Sequence, residues 1–303
     1  MPVSTTDAPT SQPGPGQVPL SCYIRTLNEA ERVGPVITQA LKVASEVVVV
    51  DSGSTDATVT IAESAGARVI DNAWPGNGHQ KRVGEEACHH DWLLDLDADE
   101  VITDDLAHEI RALFAAGRPN STVYALPMAI KVPTAPAWTS FFITHRNKLY
   151  DRRAWRMPAH AAWDQLDLPK TEKPPRLNNL IIHYSFTDFA QLVRKMNSVS
   201  STRAKYTKPR SKWHLRVRIF SALPIYLLKH YIARGLWRGG TYGFATALQF
   251  AHARWLRDVK MYEALVVAEQ DRTSASASTP TSPEAAPHER KTTAAPRDQA
   301  RTL

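Results

Sequence analysis

The stretch Trp92-Leu93-Leu94-Asp95-Leu96-Asp97-Ala98-Asp99-Glu100 decides the fold, because an apolar run ends there in closely spaced carboxylates. A short apolar run bounded by polar residues is typical of a buried strand. Acidic side chains are rarely buried unless they are paired or bind a metal, and open parallel sheets bind ligands beyond the carboxyl ends of their strands. The stretch therefore predicts a ligand site at the carboxyl end of a central strand.

Asp97 and Asp99 are the first candidate ligands at this site. One residue separates them, so their side chains share a face if the strand geometry continues. Both carboxylates could then approach one hard cation, such as Mg²⁺ or Mn²⁺, or the phosphates bound to it. The alternative interpretation is an acidic turn that caps a helix, since aspartate is common in such turns.

Strands and helices alternate around this stretch. Strands are predicted at residues 20–27, 46–51, 68–70 and 92–96, with helices at 29–44, 57–65, 79–89 and 104–116. This alternation predicts an α/β fold with a mostly parallel sheet and helices on both faces. Residues 122–182 are interrupted by prolines, and we expect them to cover the carboxyl edge of the sheet, with strands at 123–132 and 177–182.

The chain divides into four predicted parts. Residues 1–19 and 271–303 are low in apolar content, and we expect two disordered tails. Residues 20–186 form the predicted sheet domain. Residues 187–270 form a helical part, with helices predicted at 188–205, 215–233 and 242–267.

Composition limits the classes of protein that fit. A chain of 303 residues with 43% hydrophobic content is long enough for one sizeable core or two small domains. It contains no run of about 18 apolar residues and no recognisable signal peptide, so we expect a cytoplasmic protein. Cys22 and Cys88 lack the spacing of a zinc site and the number of a disulfide framework, so we expect two reduced packing residues.

The net charge of +7 is concentrated before an apolar segment in the helical part. Seven basic residues precede residues 219–228, namely Arg203, Lys205, Lys208, Arg210, Lys212, Arg216 and Arg218. Since each basic side chain near an anionic leaflet contributes about 1 kcal/mol, the pattern predicts peripheral attachment to an anionic membrane surface. A solvated helix face and a nucleic-acid site are the alternatives, but no nucleic-acid module accompanies the cluster, so we expect no nucleic-acid partner.

A second polar turn follows the run Val47-Val48-Val49-Val50 and reads Asp51-Ser52-Gly53-Ser54-Thr55-Asp56. Such a strand-to-helix turn suits a nucleotide, with Asp51 as hydrogen-bond partner of the ribose or base. Ser54, Thr55 or Asp56 could equally cap the next helix, and both roles are compatible. Polar residues also follow the first strand, so three strand ends converge on one edge.

Four motifs resemble those of the family 2 glycosyltransferases in order and spacing: Thr26-Leu27-Asn28-Glu29, Asp51-Ser52-Gly53-Ser54-Thr55-Asp56, Gly78-His79-Gln80-Lys81 and Leu96-Asp97-Ala98-Asp99-Glu100. Three further motifs are similar to the bacterial lipopolysaccharide core glucosyltransferases of that family: His183-Tyr184-Ser185-Phe186, Lys195-Met196-Asn197 and Gly239-Gly240-Thr241-Tyr242-Gly243. The resemblance covers residues 20–265 and is carried by the combination rather than by any single motif.

The resemblance implies a GT-A fold, which is Rossmann-like, with a UDP-sugar donor bound at the strand ends. It implies that Glu29 and Asp51 contact the uridine, that Gln80 or Lys81 lies near it, and that Asp97 meets the ribose. It also implies that Asp99 ligates a divalent cation, Mg²⁺ or Mn²⁺, which neutralises the diphosphate leaving group. His183 either completes that metal site, contacts a phosphate or has a structural role.

The catalytic base is the point at which the sequence departs from the family. Direct displacement at the anomeric carbon inverts its configuration and needs a group that accepts the proton of the acceptor hydroxyl. Relatives carry a His-Glu pair where this chain has His160-Ala161, so the expected glutamate is missing. Asp164 could substitute, His160 could itself serve, or the chain has lost normal activity; our hypothesis is Asp164.

The sequence thus predicts an inverting, metal-dependent glycosyltransferase on the inner face of the cytoplasmic membrane. We expect it to move a sugar, glucose from UDP-glucose, to a lipopolysaccharide-core or lipid-linked acceptor. One alternative acceptor is a polyprenyl phosphate or another glycan. A second alternative, motivated by the missing glutamate, is a catalytically weakened, membrane-associated binding protein.

Overall fold

The computed structural model describes residues 16–115, 117–133 and 136–277. These residues contain an eight-stranded sheet with the order β3-β2-β1-β4-β7-β6-β8-β5. The strands are β1 Val18–Thr26, β2 Ala44–Asp51, β3 Arg68–Asp71, β4 Trp92–Asp97, β5 Glu100–Ile102, β6 Val123–Ile130, β7 Thr144–Asp151 and β8 Ile181–His183. The helices are α1 Val33–Ala40, α2 Thr58–Ser64, α3 Asn77–Ala87, α4 Asp104–Phe114, α5 Phe189–Tyr206, α6 Lys212–Leu228 and α7 Gly240–Ala277.

The first half of the sheet is parallel and follows the predicted alternation. Strands β3, β2, β1 and β4 pair in parallel in that order. The run 47–50 in β2 is buried on both faces, which suits β-branched valines that pack well in a sheet interior. One apolar cluster covers each face, and Cys22 and Cys88 are free, buried members of these clusters.

The second half of the sheet contains a strand that the sequence pattern does not predict. Strand β7 lies antiparallel between β4 and β6, and its sequence Thr-His-Arg-Asn-Lys-Leu-Tyr-Asp is mostly polar. Its polar residues Lys148 and Asp151 are nevertheless buried because both are ion-paired. Residues 122–182 therefore extend the sheet through β6, β7 and β8, of which β6 and β8 overlap the predicted strands and β7 does not.

A short antiparallel ladder positions the polar turn after β4. Strand β5 follows that turn directly and pairs with β8, so that Glu100 lies opposite His183. β8 is also parallel to β6. The strand predicted at 177–182 is thus confined to its last residues, and its role is to bring His183 to the end of β4.

The helices α5, α6 and the first part of α7 belong to the same compact unit as the sheet, Met1–Tyr262. Asp258 is a buried anchor of this part, where its carboxylate pairs with Arg218 at 2.8 Å and with Arg257 at 2.6 Å. A π turn at Lys229–Ala233 and a 3₁₀ turn at Leu236–Gly239 connect α6 to α7. Residue 186, where the sequence predicts the end of the sheet domain, lies within this unit, and the division into two domains stays a prediction.

The second compact unit is Glu263–Leu303, and its described part is the carboxyl-terminal end of α7. The helix continues to Ala277, seven residues into the predicted tail at 271–303, and β1 begins two residues before the end of the predicted tail at 1–19. The rest of both predicted tails lies outside the described residues. Within the described residues, no helix is both long and apolar enough to cross a membrane.

Candidate active site

Asp97 lies at the carboxyl end of β4, where the strand register brings it next to Arg25 of β1. Arg25 donates one hydrogen bond to Asp97 Oδ1 and another to Asp164 Oδ2, each at 2.8 Å. Lys81 Nζ lies 3.3 Å from the same oxygen of Asp97. Burial alone would raise the pKa of Asp97, but the charges of Arg25 and Lys81 outweigh it and hold that pKa well below its usual range. Asp97 is therefore a carboxylate anion fixed by two cations.

A buried charge network forms the floor of the site. Lys81 Nζ lies 2.9 Å from the Asp95 carboxylate, and Lys148 Nζ lies 2.6 Å from Glu100 Oε2. That Glu100 oxygen also accepts a hydrogen bond from the backbone N–H of Asp97 at 3.0 Å. Removing one member of such a network would leave an uncompensated charge in the interior. The network therefore fixes the turn between β4 and β5 from below.

Asp99 belongs to a second group of charges, separate from that of Asp97. His183 Nε2 lies 3.2 Å and Lys195 Nζ 3.5 Å from Asp99 Oδ2. The backbone N–H of Tyr184 donates to the carbonyl oxygen of Asp99 at 2.8 Å, which ties the turn to β8. Burial would raise the pKa of Asp99, but His183 and Lys195 lower it to about 2. The carboxylate of Asp99 is therefore ionised at any physiological pH.

The carboxylate of Asp99 and the imidazole of His183 are suitable ligands for a divalent cation whose other coordination positions are filled by a bound diphosphate and water. Among the described residues, no group of three or more His, Cys, Asp and Glu side chains could hold a metal ion. Mg²⁺ is usually held by one or two carboxylates together with substrate phosphates, and imidazole is a good ligand for several other divalent metals. One carboxylate and one imidazole would thus leave the remaining ligand positions to a diphosphate and water.

Arg25 and Lys195 are site residues to which the sequence patterns alone assign no role. Arg25 directly precedes the first motif, and Lys195 begins the motif Lys195-Met196-Asn197. The sequence therefore shows both residues next to or within a motif. Only the fold shows which carboxylate each basic side chain contacts. Arg25 bridges Asp97 and Asp164, which lie 72 and 139 positions further along the sequence than Arg25.

The turn after β2 is held by Asp51 itself. Its carboxylate accepts hydrogen bonds from the hydroxyls of Thr26 and Ser54 and from the backbone N–H groups of Gly53 and Ser54, at 2.6 to 3.0 Å. Burial would raise the pKa of Asp51, but these hydrogen bonds lower it. Asp51 thus shapes the turn, and its contact with a nucleotide stays a prediction. The N-cap residue of α2 is Ala57, which has no side-chain cap, rather than the predicted Ser54, Thr55 or Asp56.

Glu29 lies on the same side of the sheet as Asp99. A surface depression is lined by both carboxylates and by Lys195 and Arg194. The Glu29 carboxylate pairs with Arg32 at 2.7 Å. Burial, the largest effect, raises the pKa of Glu29, and the nearby charge of Asp99 adds to it, although Arg32 opposes both.

Gln80 and Lys81 point into the protein. Gln80 is fully buried, where it donates to Ser52 Oγ at 3.0 Å and accepts from the Asn72 amide at 2.7 Å. Lys81 is equally buried between Asp95 and Asp97. The structure therefore gives both residues a supporting role beneath the strand ends, and a direct contact with the donor stays a prediction.

Gly78 explains how the segment that carries Asp164 reaches the site. The backbone N–H of Gly78 donates to the carbonyl oxygen of His160 at 2.9 Å, and a Cβ on this glycine would collide with the carbonyl oxygens of Pro158 and Trp163. Only glycine allows this close approach, because any side chain would push the backbone away. The start of α3 thereby places Asp164 beside Arg25.

The imidazole of His160 stabilises the same segment. Its Nδ1 accepts hydrogen bonds from the backbone N–H groups of Ala162 at 2.9 Å and Trp163 at 3.0 Å. Its ring also packs edge-to-face on Tyr206 of α5, with a centroid distance of 5.4 Å. One ring nitrogen of His160 is therefore used in a turn, whereas Asp164 lines a cavity next to Asp97.

That cavity has a volume of about 360 Å³ and opens between the sheet and helices α5 and α7. Its lining includes three of the predicted site residues, Asp97, Asp164 and His183. The fold thus brings together the carboxylate at the end of β4, the hypothetical base and the histidine of β8. Asp99 and Glu29 line the neighbouring depression, and Lys195 lines both.

Comparison with known proteins gives the class to which this chain belongs. The family model for Glycosyl transferase family 2 matches residues 21–167. An uncharacterized glycosyltransferase of Rickettsia bellii is 32% identical over 262 residues, which cover 80% of this chain and 86% of the relative. The lipopolysaccharide core biosynthesis glycosyltransferase LpsC of Rhizobium meliloti is 27% identical and covers 82% of this chain and 93% of that protein. The chain belongs to glycosyltransferase family 2.

Membership of this family confirms the predicted enzyme class and the GT-A fold, with its parallel first half, mixed second half and helical carboxyl-terminal part. Among solved structures, glucosyl-3-phosphoglycerate synthase from Mycobacterium tuberculosis, in complex with Mn²⁺, UDP and phosphoglyceric acid, shares 23% identity. That alignment has a TM-score of 0.31 and covers 37% of this chain and 43% of that one.

Proposed function

We propose that this glycosyltransferase transfers a sugar from a UDP-sugar, glucose from UDP-glucose, to a lipopolysaccharide-core acceptor with inversion at the anomeric carbon. The observation that carries the proposal is the meeting of Asp99, His183 and Lys195 directly beside the cavity lined by Asp97 and Asp164. The similarity to LpsC over most of both chains supports the acceptor class.

Different residues bind the different parts of the sugar nucleotide. The turn held by Asp51, together with Glu29, receives the uridine, and Asp97 receives the ribose. Asp99 and His183 would hold a divalent cation, which would supply positive charge to stabilise the diphosphate leaving group. Lys195 places a second positive charge 3.5 Å from Asp99, where it would also stabilise the leaving diphosphate.

Transfer proceeds by direct displacement in the cavity. The acceptor oxygen forms a bond to the anomeric carbon while the bond from that carbon to the diphosphate oxygen breaks, and UDP leaves with the electron pair. Asp164 accepts the proton of the acceptor hydroxyl. Arg25 orients Asp164 through the hydrogen bond to Oδ2, and thereby connects the base with the ribose-binding Asp97.

A thermal-shift panel tests the donor and the cation together. UDP-, GDP- and dTDP-sugars are compared with and without Mn²⁺, because a ligand that binds only the native state raises its stability. We expect the largest rise in melting temperature with UDP-glucose, and only when Mn²⁺ is present. Equal shifts by all nucleotides, or shifts independent of the metal, would contradict the donor assignment.

Substitution of Asp164 tests the base. We expect Asp164→Asn to lower kcat by about 10²- to 10⁴-fold, because general base catalysis typically contributes that factor. The UDP affinity should change little, since Asp164 is not among the residues assigned to the uridine, the ribose or the diphosphate. His160→Gln is the matched comparison, and a larger loss of kcat in that variant than in Asp164→Asn would transfer the role to His160.

We further propose that the enzyme is attached to the inner face of the cytoplasmic membrane through α6. Trp213, Val217, Phe220 and Leu228 recur every three to eight residues on this helix and are all exposed, Phe220 by 86%. A contiguous exposed apolar face rimmed by basic residues is typical of a membrane-surface helix. Three of the seven clustered basic residues turn inward, however, since Arg203 lines the cavity and Arg210 and Arg218 pair with Asp258.

The double variant Trp213→Asp/Phe220→Asp tests this attachment. Because burial of one large apolar side chain contributes about 1.5–3 kcal/mol, we expect binding to phosphatidylglycerol-containing vesicles to weaken at least about tenfold. Trp74→Asp is the control, since Trp74 is half-exposed but lies in the loop before α3. The attachment model fails if the wild-type protein prefers single-stranded RNA to these vesicles at equal ionic strength.

A further inference from the structure

A cluster of arginines lines the cavity on the side contributed by β7 and the helices. Its members come from four separate parts of the chain: Arg146, Arg203, Arg234, Arg254 and Arg257. We call these five residues the arginine cluster. Positive side chains rarely gather around a shared cavity unless something compensates their charge.

The carboxylates near the arginine cluster already form ion pairs, mostly with residues outside the cluster. Asp258 neutralises Arg257 of the cluster, and its other oxygen pairs with Arg218. The carboxylates of the cavity are Asp97, Asp164 and Glu100, and these pair with Arg25 and the buried lysines. Among the described residues, four members of the cluster thus lack an ion pair with a carboxylate: Arg146, Arg203, Arg234 and Arg254.

The members of the cluster repel one another. Burial lowers the pKa of Arg203, and the charges of Arg254, Arg257 and Arg146 lower it further, with Asp164 as the opposing influence. Burial and Arg146 likewise lower the pKa of Arg234. A bound anion would remove this repulsion, and the cavity is therefore electrostatically prepared for one.

Aromatic rings hold two of the guanidinium groups in fixed orientations. Arg234 lies over the ring of Phe142 at 4.3 Å, and Arg254 over the ring of Tyr226 at 5.6 Å. Phe142 is in turn stacked on Phe250, at a centroid distance of 5.6 Å. A guanidinium that lies on a ring face keeps its N–H edge free for planar, bidentate binding of a carboxylate or phosphate.

We propose that the arginine cluster binds an anionic group, a phosphate or a carboxylate, that the acceptor carries next to the sugar that is glycosylated. This inference rests on the proposed function and specifies its acceptor as a charged glycan. The donor diphosphate is a less suitable occupant, because we assign it to Asp99, and Asp99 lines the neighbouring depression, to which Arg234 and Arg254 do not contribute. An anionic group held by the cluster would direct the acceptor hydroxyl toward Asp164 in the same cavity.

The double variant Arg234→Gln/Arg254→Gln tests the proposal, with each single variant measured beside it. Because hydrogen bonds to a charged group are stronger than neutral ones, we expect the acceptor KM to rise at least about tenfold in the double variant. The Kd of UDP with Mn²⁺ and the rate of donor hydrolysis should stay within about twofold of the wild type. Arg238→Gln is the control, because Arg238 lies over Trp237 and does not line the cavity. An equal loss of UDP affinity would assign the cluster to the donor and overturn the proposal.

Whether the anionic group is a phosphate or a carboxylate is tested with three forms of a core oligosaccharide as acceptor: untreated, dephosphorylated with hydrofluoric acid, and carboxyl-reduced. We expect one treatment to raise the acceptor KM of the wild type and to have little effect on the double variant. A phosphate group is indicated by the first treatment and a carboxylate by the second. Unchanged KM values after both treatments would refute the anion site.

A measurement without turnover separates this proposal from the proposed function. Inorganic phosphate should raise the melting temperature of the wild-type protein and of Arg238→Gln, but not that of Arg234→Gln/Arg254→Gln. Equal stabilisation of all three proteins would overturn the anion site even if transfer is observed. Stabilisation restricted to the wild type and the control would support the site even if no donor is turned over, which would count against the proposed function alone.

Discussion

Asp99→Asn is expected to lower kcat/KM for sugar transfer by about a hundredfold or more, with the overall fold intact. The carboxylate of Asp99 is ionised, with a pKa of about 2, and faces His183 and Lys195. Asparagine keeps the shape but removes the negative charge on which a divalent cation depends. A cation in such a site contributes several kcal/mol of charge stabilisation, and each 1.36 kcal/mol is about a factor of ten in rate.

The expected signature of Asp99→Asn is a loss in two measurements together. The Mn²⁺ concentration needed for half-maximal activity should rise, and the metal-dependent thermal shift with UDP should disappear. Asp105→Asn is the control, because Asp105 is an exposed carboxylate in the first turn of α4, away from the strand ends. Unchanged turnover and Mn²⁺ affinity in Asp99→Asn would remove the carboxylate from the mechanism and contradict the proposed function.

The parallel half of the sheet was predictable because its strands are apolar and its connections are regular. The valines of β2 and the leucines of β4 favour strand over helix without further information. Strand β7 was not predictable in this way. Its buried lysine and aspartate are tolerated only because ion-pair partners come from β5 and from the turn after β7, and that pairing exists only in the folded protein.

The site was predictable where consecutive residues carry the chemistry, and less so where distant residues meet. Asp97 and Asp99 could be identified from one stretch of strand, yet they have different partners in the structure. The sequence suggested that both carboxylates could approach one cation or its bound phosphates. In the structure, Arg25 donates a hydrogen bond to Asp97 and another to Asp164, and no local pattern predicts this contact. The pairing of β5 with β8, which no local pattern encodes, decides that His183 meets Asp99 rather than Asp97.

The position of the hypothetical base follows from packing rather than from a motif. The glutamate of the His-Glu pair is replaced by Ala161, and Asp164 reaches the cavity because Gly78 lets the preceding segment approach α3. Glycine at position 78 was visible in the sequence, but the segment that it contacts lies more than 80 residues later. The position of Asp164 in the cavity, on which its proposed role as the base rests, therefore depends on a tertiary contact.

Lys148→Met is expected to destabilise the protein by about 3–5 kcal/mol, the cost of breaking a buried ion pair by removing one partner. Lys148 and Glu100 are each 2% exposed at their side chains, and their charged atoms lie 2.6 Å apart. Asp95 keeps Lys81 as a partner at 2.9 Å, so Glu100 is the group that loses its compensating charge. Urea denaturation at neutral pH gives the free energy of unfolding for this comparison.

The double variant Lys148→Met/Glu100→Gln identifies the cause of that loss. We expect it to recover at least half of the destabilisation, because a neutral amide costs much less to bury than an unpaired carboxylate. Burial already raises the pKa of Glu100, and the loss of Lys148 would raise it further. A group whose pKa is raised by folding loses its contribution as the pH rises, so Lys148→Met should be least destabilised in mildly acidic buffer and most destabilised above neutrality. A pH-independent loss without recovery in the double variant would mean that Lys148 acts through packing of its aliphatic chain.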